Sequence, residues 1–176
     1  MELKDTIVEK GFVREQSSEE YSDLLFALPV PKSKITQFGS RKISPAHTGQ
    51  LNNSIDFIVP EGTGIYAAAD GIVFAIKDDS KVGGPYPKYW DDGNYIEIKH
   101  SNGEFTRYEH LKFKGVIVKV GEKVKQGQLI GYSGHTGFAN NPHLHFEVMN
   151  YYGKGHEDYV TMKARFKDFP DVYENE

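Results

Sequence analysis

The sequence contains no cysteine, which excludes disulfides, thiolate metal sites and cysteine nucleophiles. No stretch approaches the ~20 apolar residues of a membrane-crossing helix, so no membrane span is expected. Positive charge is not in excess. The 21 Lys and Arg against 25 Asp and Glu leave a net charge of -4, which argues against nucleic acid as a partner. The opening Met1-Glu2-Leu3-Lys4-Asp5 is charged and lacks the apolar core of a signal peptide. As written, the chain is not addressed for secretion. HExxH is also missing, so that motif's helix-borne glutamate base is not available. There is no tandem repeat and no low-complexity block.

What is present fits a globular chain. Hydrophobic residues make up 38% and charged residues 26%. At 176 residues, a single domain can bury about 70% of its unfolded surface. Eighteen glycines, eight prolines and 13% aromatics suit short strands and many turns better than a helical bundle. Short apolar runs bounded by Gly and Pro follow one another: Ile55 to Pro60, Gly64 to Ala68 and Gly71 to Ile76. Tyr95 to Lys99 alternates cleanly and returns through the Ser101-Asn102-Gly103 turn as Glu104 to Leu111. Val116 to Val120, Leu129 to Tyr132 and His143 to Met149 add further strands. Residues 78–93 read as a long turn-rich loop. The fold class is mainly β, short antiparallel strands closed into a sandwich or barrel. Before Pro29, Ser17-Ser18-Glu19-Glu20 with Tyr21, Leu24, Leu25 and Leu28 reads as a capping box opening a short amphipathic helix. The tail, 151–176, shows no clear period. The expected organisation is an N-terminal extension 1–28, a main domain 29–150 and a C-terminal extension 151–176.

The chemistry lies in the seven histidines. In Pro142-His143-Leu144-His145-Phe146-Glu147, alternate strand residues share a face, so His143 and His145 emerge side by side. They can hold a metal together, or one can hold it while the other handles protons; exposed strand histidines are the bland alternative. By the same period Tyr108 and His110 share a face. His47 and Asp56 add an imidazole and a carboxylate, and two more imidazoles beside them make an N/O donor set that suits zinc. Nine positions separate His47 from Asp56, so a loop must bring them together. Glu147 shares the face of His143 and His145 and reads either as an acceptor for an imidazole or as surface. Asn94 and Asn141 read as side chains for hydrogen-bonding a peptide substrate, or as ordinary turn residues. His100 reads as a solvated hairpin residue and His135 as loop surface.

Taken together, His47…Asp56, Tyr108-x-His110-Leu111 and His143-Leu144-His145-Phe146 resemble the lysostaphin-type zinc endopeptidases in order and in motif. The text between them is similar too: Ala67-Ala68-Ala69-Asp70-Gly71, Gly121 to Gly131 and Gly134-His135-Thr136-Gly137. The resemblance covers roughly residues 29–150. It implies an antiparallel β fold of the duplicated hybrid, lipoyl-carrier-like barrel kind, with a substrate groove across the sheet and one zinc ion on its floor. By motif position it implies His47, Asp56 and His145 as zinc ligands and His110 and His143 as catalytic histidines. It also implies hydrolysis of peptide bonds in peptidoglycan cross-links or stem peptides, and a place in the cell envelope or outside the cell. Three protein ligands leave a fourth position for water, and His143 is placed to take its proton, with His110 close by. The partner histidine can also stabilise the developing oxyanion.

The sequence departs from the common family pattern in two motifs. The His47–Asp56 gap is long, and residues 36–46 hold Phe38 but no tyrosine, so the family's transition-state tyrosine has no counterpart there. A non-catalytic wall binder or amidase activator is the alternative reading; such relatives typically lack one or more of the five residues present here. A lipoyl or biotinyl carrier is a third, suggested by Gly121 to Gly131. It lacks a suitably placed lysine and leaves the histidines without a use.

Overall fold

The computed structural model describes residues 20–44, 46–151 and 158–173. In chain order its strands are β1 (Tyr21–Phe26), β2 (Gln37–Gly39), β3 (Ile55–Ile58), β4 (Gly64–Tyr66), β5 (Gly71–Lys77), β6 (Gly83–Gly84) and β7 (Tyr95–Lys99). They continue as β8 (Phe105–Glu109), β9 (Leu111–Val116), β10 (Lys123–Val124), β11 (Leu129–Ser133), β12 (Gly137–Phe138), β13 (Leu144–Tyr151) and β14 (Tyr159–Phe166). Short 3-10 turns at Lys32–Lys34, Gly49–Leu51 and Pro87–Asp92 are the helical segments among the described residues. None is long and apolar enough to cross a membrane.

Nine strands share one sheet along the path β1-β14-β13-β8-β7-β5-β10, with β3 also beside β13 and β2 beside β3. A second sheet, β4-β11-β9, closes over it. Strict alternation divides the large sheet into two chemically different faces. Cross-strand partners share a face, and the register pairs Leu144 with Phe57, Phe146 with Tyr108, and Tyr108 with Ile96. This apolar face meets Ile65 and Ile130 of the small sheet, with Ala67 just past β4, in one buried cluster. The opposite face carries the rows Asp56–His145–Glu109–Tyr95 and Glu147–Arg107–Glu97. The mainly β expectation therefore holds, and one face of one sheet is both polar and buried.

Three local expectations are corrected. Residues 21–26 are not helical. They form β1, which runs parallel to β14 and ties Lys163 N–H to the Glu20 carbonyl and Lys167 N–H to the Phe26 carbonyl. The leucine spacing fits either period, and an open sheet edge beside it decides for strand. Residues 17–19 of the expected capping box lie outside the described residues. The tail, read as having no clear period, contains β14, whose Met162, Ala164 and Phe166 enter the core while Tyr159 and Thr161 are buried on the other face. Its residues alternate, Val160, Met162, Ala164 and Phe166 against Tyr159, Thr161, Lys163 and Arg165, which is the signal that marks it as a strand. The strand expected at Val116 to Val120 ends at Val116.

His100 is likewise not solvated. It is 3% exposed, donates from Nδ1 to the Asp70 carbonyl (2.8 Å) and has Thr106 Oγ1 2.9 Å from Nε2. Burial holds its pKa below the ordinary histidine value, although the Asp70 carbonyl and Glu104 oppose this. The unfolded chain then binds this proton more tightly than the folded one. Stability is full above about pH 6.5 and falls as pH drops from there through the folded pKa. His100→Gln should flatten part of the acid-side slope of melting temperature against pH; an unchanged slope in the variant contradicts this assignment.

Candidate metal centre and groove

The five residues singled out by motif meet on the polar face. Asp56 and His145 are direct cross-strand partners on β3 and β13. His143 precedes β13 and is held by a bridge to Gly134. His110 stands at the corner between β8 and β9 with φ +62°, a left-handed conformation that few non-glycine residues adopt and that is common at functional sites. His47 comes from the loop between β2 and β3. None of the five is more than 8% exposed.

His47 Nε2 lies 3.3 Å from Asp56 Oδ1 and 3.3 Å from His145 Nδ1, and His145 Nδ1 lies 2.9 Å from Asp56 Oδ1. His143 Nε2 is 3.5 Å from the same oxygen. The outer nitrogens are committed elsewhere. His145 Nε2 is 2.7 Å from Glu147 Oε1, His110 Nδ1 is 2.8 Å from the Thr136 carbonyl, and His143 Nδ1 is 2.7 Å from the Asn141 carbonyl. A carbonyl only accepts, so His110 and His143 carry their proton on Nδ1 and turn the Nε2 lone pair inward.

The donor set fits a divalent cation. With its Nε2 proton given to Glu147, neutral His145 aims a lone pair at the Asp56 carboxylate, and His47 adds a third donor. Such a convergence requires positive charge between the groups. In the metal-free chain a proton on His145 supplies it. Burial alone lowers the His145 pKa, but hydrogen bonds and charge from Asp56 and Glu147 raise it to about 10. Burial likewise opposes ionisation of Asp56, yet hydrogen bonds with His145 and His47 hold its carboxyl well below the usual range. Tetrahedral zinc with bonds of about 2.0–2.1 Å has ligand–ligand edges of about 3.3 Å, close to the separations seen. His110, His143 and His145 form a second possible trio, with one ligand atom from each within 4.8 Å of the others. That trio lacks an anion. Burial lowers the pKa of both His110 and His143, and their rings stand 4.6 Å apart, suited to passing a proton.

The neighbouring row braces the centre. Glu147 takes Ser54 Oγ (3.3 Å) as well as His145. Arg107 Nε lies 3.5 Å from both Glu97 Oε1 and Glu109 Oε2, and its guanidinium stacks 4.3 Å from the Tyr95 ring. Burial works against charge on Arg107, but Glu109, Glu147 and Glu97 raise its pKa further. No motif marks Arg107, Glu97 or Glu109; their shared period-2 face with Tyr95 is the signal the sequence offers. Carboxylates that fix a ligand histidine typically account for 10–100-fold in metal affinity. Glu147→Gln should therefore weaken zinc binding by about that factor, read by competition with a chelator; unchanged affinity contradicts the bracing role.

A cleft of about 680 Å³ lies over this floor, walled by Ile43 and Gln50 on one side and Trp90, Phe138 and Asn141 on the other. The second wall is rigid where glycines meet. A Cβ on Gly93 would strike Glu109 Oε1, and one on Gly137 (φ +83°) would come 2.7 Å from the Gly93 Cα. Asn141 lines the cleft. Asn94 does not reach it. It is fully buried, its amide nitrogen donates to the Ser80 and Leu111 carbonyls, and its side-chain oxygen accepts Ser80 N–H. Its backbone N–H donates to Thr136 Oγ1, so it fixes the loop that orients His110 and has no amide hydrogen left for a peptide. His135 is exposed, as expected.

Comparison with known proteins gives a consistent result. The model of Peptidase family M23 matches residues 50–159. Peptidoglycan DD-endopeptidase ShyC of Vibrio cholerae is 41% identical over 116 residues, 65% of this chain and 24% of the relative. ShyA of the same organism is 42% identical over 115 residues, again 24% of its length. The chain thus spans about a quarter of the length of these curated relatives. The crystal structure of a zinc containing peptidase from Vibrio cholerae aligns with a TM-score of 0.54 at 35% identity, covering 82% of this chain and 41% of that one.

Proposed function

The chain belongs to peptidase family M23, and from that premise we propose that it is a zinc-dependent endopeptidase cutting peptide bonds of peptidoglycan, in cross-links or stem peptides. The observation that carries this reading is the convergence of His47 Nε2, Asp56 Oδ1 and His145 Nδ1 beside two inward-facing imidazole lone pairs. In this reading His47, Asp56 and His145 hold the zinc and residues 29–150 are the peptidase domain, extended by 1–28 and 151–176. Zinc, when bound, polarises a carbonyl and brings the pKa of water to near 7.

The chain's own residues do the rest. His143, neutral and fixed by the Asn141 carbonyl, takes the proton of the attacking water at Nε2. His110 in its resting tautomer has no proton on Nε2, so it is a second acceptor. It becomes a donor to an oxyanion or a leaving amine only after receiving that proton. Asp56, 3.5 Å from His143 Nε2, stabilises the imidazolium that forms. The Asn141 side chain, on the cleft wall, hydrogen-bonds the substrate backbone. The named activity of the matched relatives supports peptidoglycan as the substrate class.

The test is digestion of purified peptidoglycan by the full chain, with and without chelator, read by mass spectrometry. A chelator-sensitive new amine at one defined peptide bond is the expected product. Release of sugar fragments without peptide cleavage contradicts the proposal.

A further inference from the structure

Two features lying apart in the sequence meet in the structure: the long gap between His47 and Asp56, and the chain beyond residue 159, where the family match ends. The gap is the second part of a longer loop from β2 to β3 whose ends are paired, Gly39 opposite Asp56. Ser40 Oγ closes it further by donating to the Asn52 carbonyl (3.2 Å). His47 sits inside this loop, its N–H bonded to the Ser44 carbonyl (3.0 Å). The stretch that follows His47 is tied to β14. Thr161 Oγ1 donates to the Gln50 carbonyl (2.7 Å) and accepts Asn53 N–H (3.1 Å), while Asn53 Nδ2 donates to the Thr161 carbonyl (2.8 Å). Past β14, Tyr173 Oη donates to the Asn53 carbonyl (2.8 Å). Asn53 and Thr161 are buried, so each of these groups carries a desolvation cost if its partner is lost.

We propose that β14 and Tyr173 are a positioning element for the metal-ligand loop: Thr161 and Tyr173 hold residues 50–53, and so keep His47 against Asp56 and His145. Neither touches a reacting atom. The inference rests on the reading of His47 as a zinc ligand. A loop of this length samples many conformations unless it is tied, and ordering it costs conformational entropy; ties made before the metal arrives remove that cost from binding. β14 separates the two roles by face. Met162, Ala164 and Phe166 fill the core, whereas Thr161 faces the loop.

The experiment measures zinc affinity of the metal-free full chain by chelator competition at one fixed pH, alongside its melting temperature. Thr161→Val should bind zinc about 10-fold or more weakly, and Thr161→Ser should stay close to the native value. Met162→Ala, on the core face, should lower the melting temperature and leave affinity unchanged. His47→Ala is the reference for the ligand reading. If Thr161→Val binds zinc like the native chain while His47→Ala does not, the positioning role is wrong and the ligand reading stands. If His47→Ala also binds like the native chain, the ligand reading falls and this inference with it. Should Thr161→Val not fold, Tyr173→Phe carries the test: binding about 3–10-fold weaker is expected from one lost hydrogen bond, and native affinity overturns the proposal.

Discussion

His145→Ala should empty the centre. The variant is expected to hold less than one zinc per ten chains after dialysis, on the order of the loss set by removing one of three ligands, and to lose about 10³-fold or more in rate. The estimate follows from the several kcal/mol that a metal Lewis acid supplies, at about 1.36 kcal/mol per tenfold. No other single replacement takes away as much. His145 is the one imidazole shared by both possible metal trios, and it separates the carboxylates of Asp56 and Glu147. Its removal leaves two buried anions facing each other. Breaking a buried pair by deleting one partner costs about 3–5 kcal/mol, so the metal-free variant should also melt well below the parent. Metal content by mass spectrometry and a thermal melt check both parts; a variant that keeps one zinc per chain contradicts the assignment.

His143→Ala should separate chemistry from binding. Its Nε2 faces Asp56 at 3.5 Å, farther than the 2.9–3.3 Å separating the converging donor atoms of His47, Asp56 and His145. The variant is expected to keep zinc and lose about 10²–10⁴-fold in kcat, the usual contribution of a positioned base. The neighbouring His110 offers a second Nε2 lone pair, so the double variant His110→Ala, His143→Ala should lose less than the product of the two single losses. Zinc loss in His143→Ala would mean that His143 and a ligand have exchanged roles.

The chemistry of this centre was legible because its residues obey short-range rules. The HxH at the start of β13 places His143 and His145 side by side by period alone, whereas Tyr108 and His110 do not share a face as expected: Tyr108 packs in the core, and the left-handed backbone of His110 at the β8–β9 corner turns it to the polar side. Asp56 was not assignable by spacing, because its partner His145 is 89 positions away and the pairing of distant strands leaves no local pattern. The family resemblance supplied that link, and the β3–β13 register gives its physical basis. The extensions were misread for two different reasons. Residues 21–26 have a pattern compatible with helix, and the open edge of β14 makes them a strand. β14 alternates Val160, Met162, Ala164 and Phe166 with Tyr159, Thr161, Lys163 and Arg165, so the strand signal is present there although the tail around it is charged and aromatic. Asn94 was expected in the groove from its residue type alone; its place at the start of β7, beneath the loop that holds His110, depends on contacts with Ser80, Leu111 and Thr136 that spacing does not encode.

The central claim is that one zinc ion is held by His47, Asp56 and His145, with His110 and His143 left free for proton transfer. Anomalous diffraction at the zinc edge from zinc-loaded crystals of the full chain tests it most directly. The account predicts one peak per chain, about 2.0–2.2 Å from His47 Nε2, Asp56 Oδ1 and His145 Nδ1. A peak bonded to His110 and His143 instead, with Asp56 and His47 outside its shell, would contradict it.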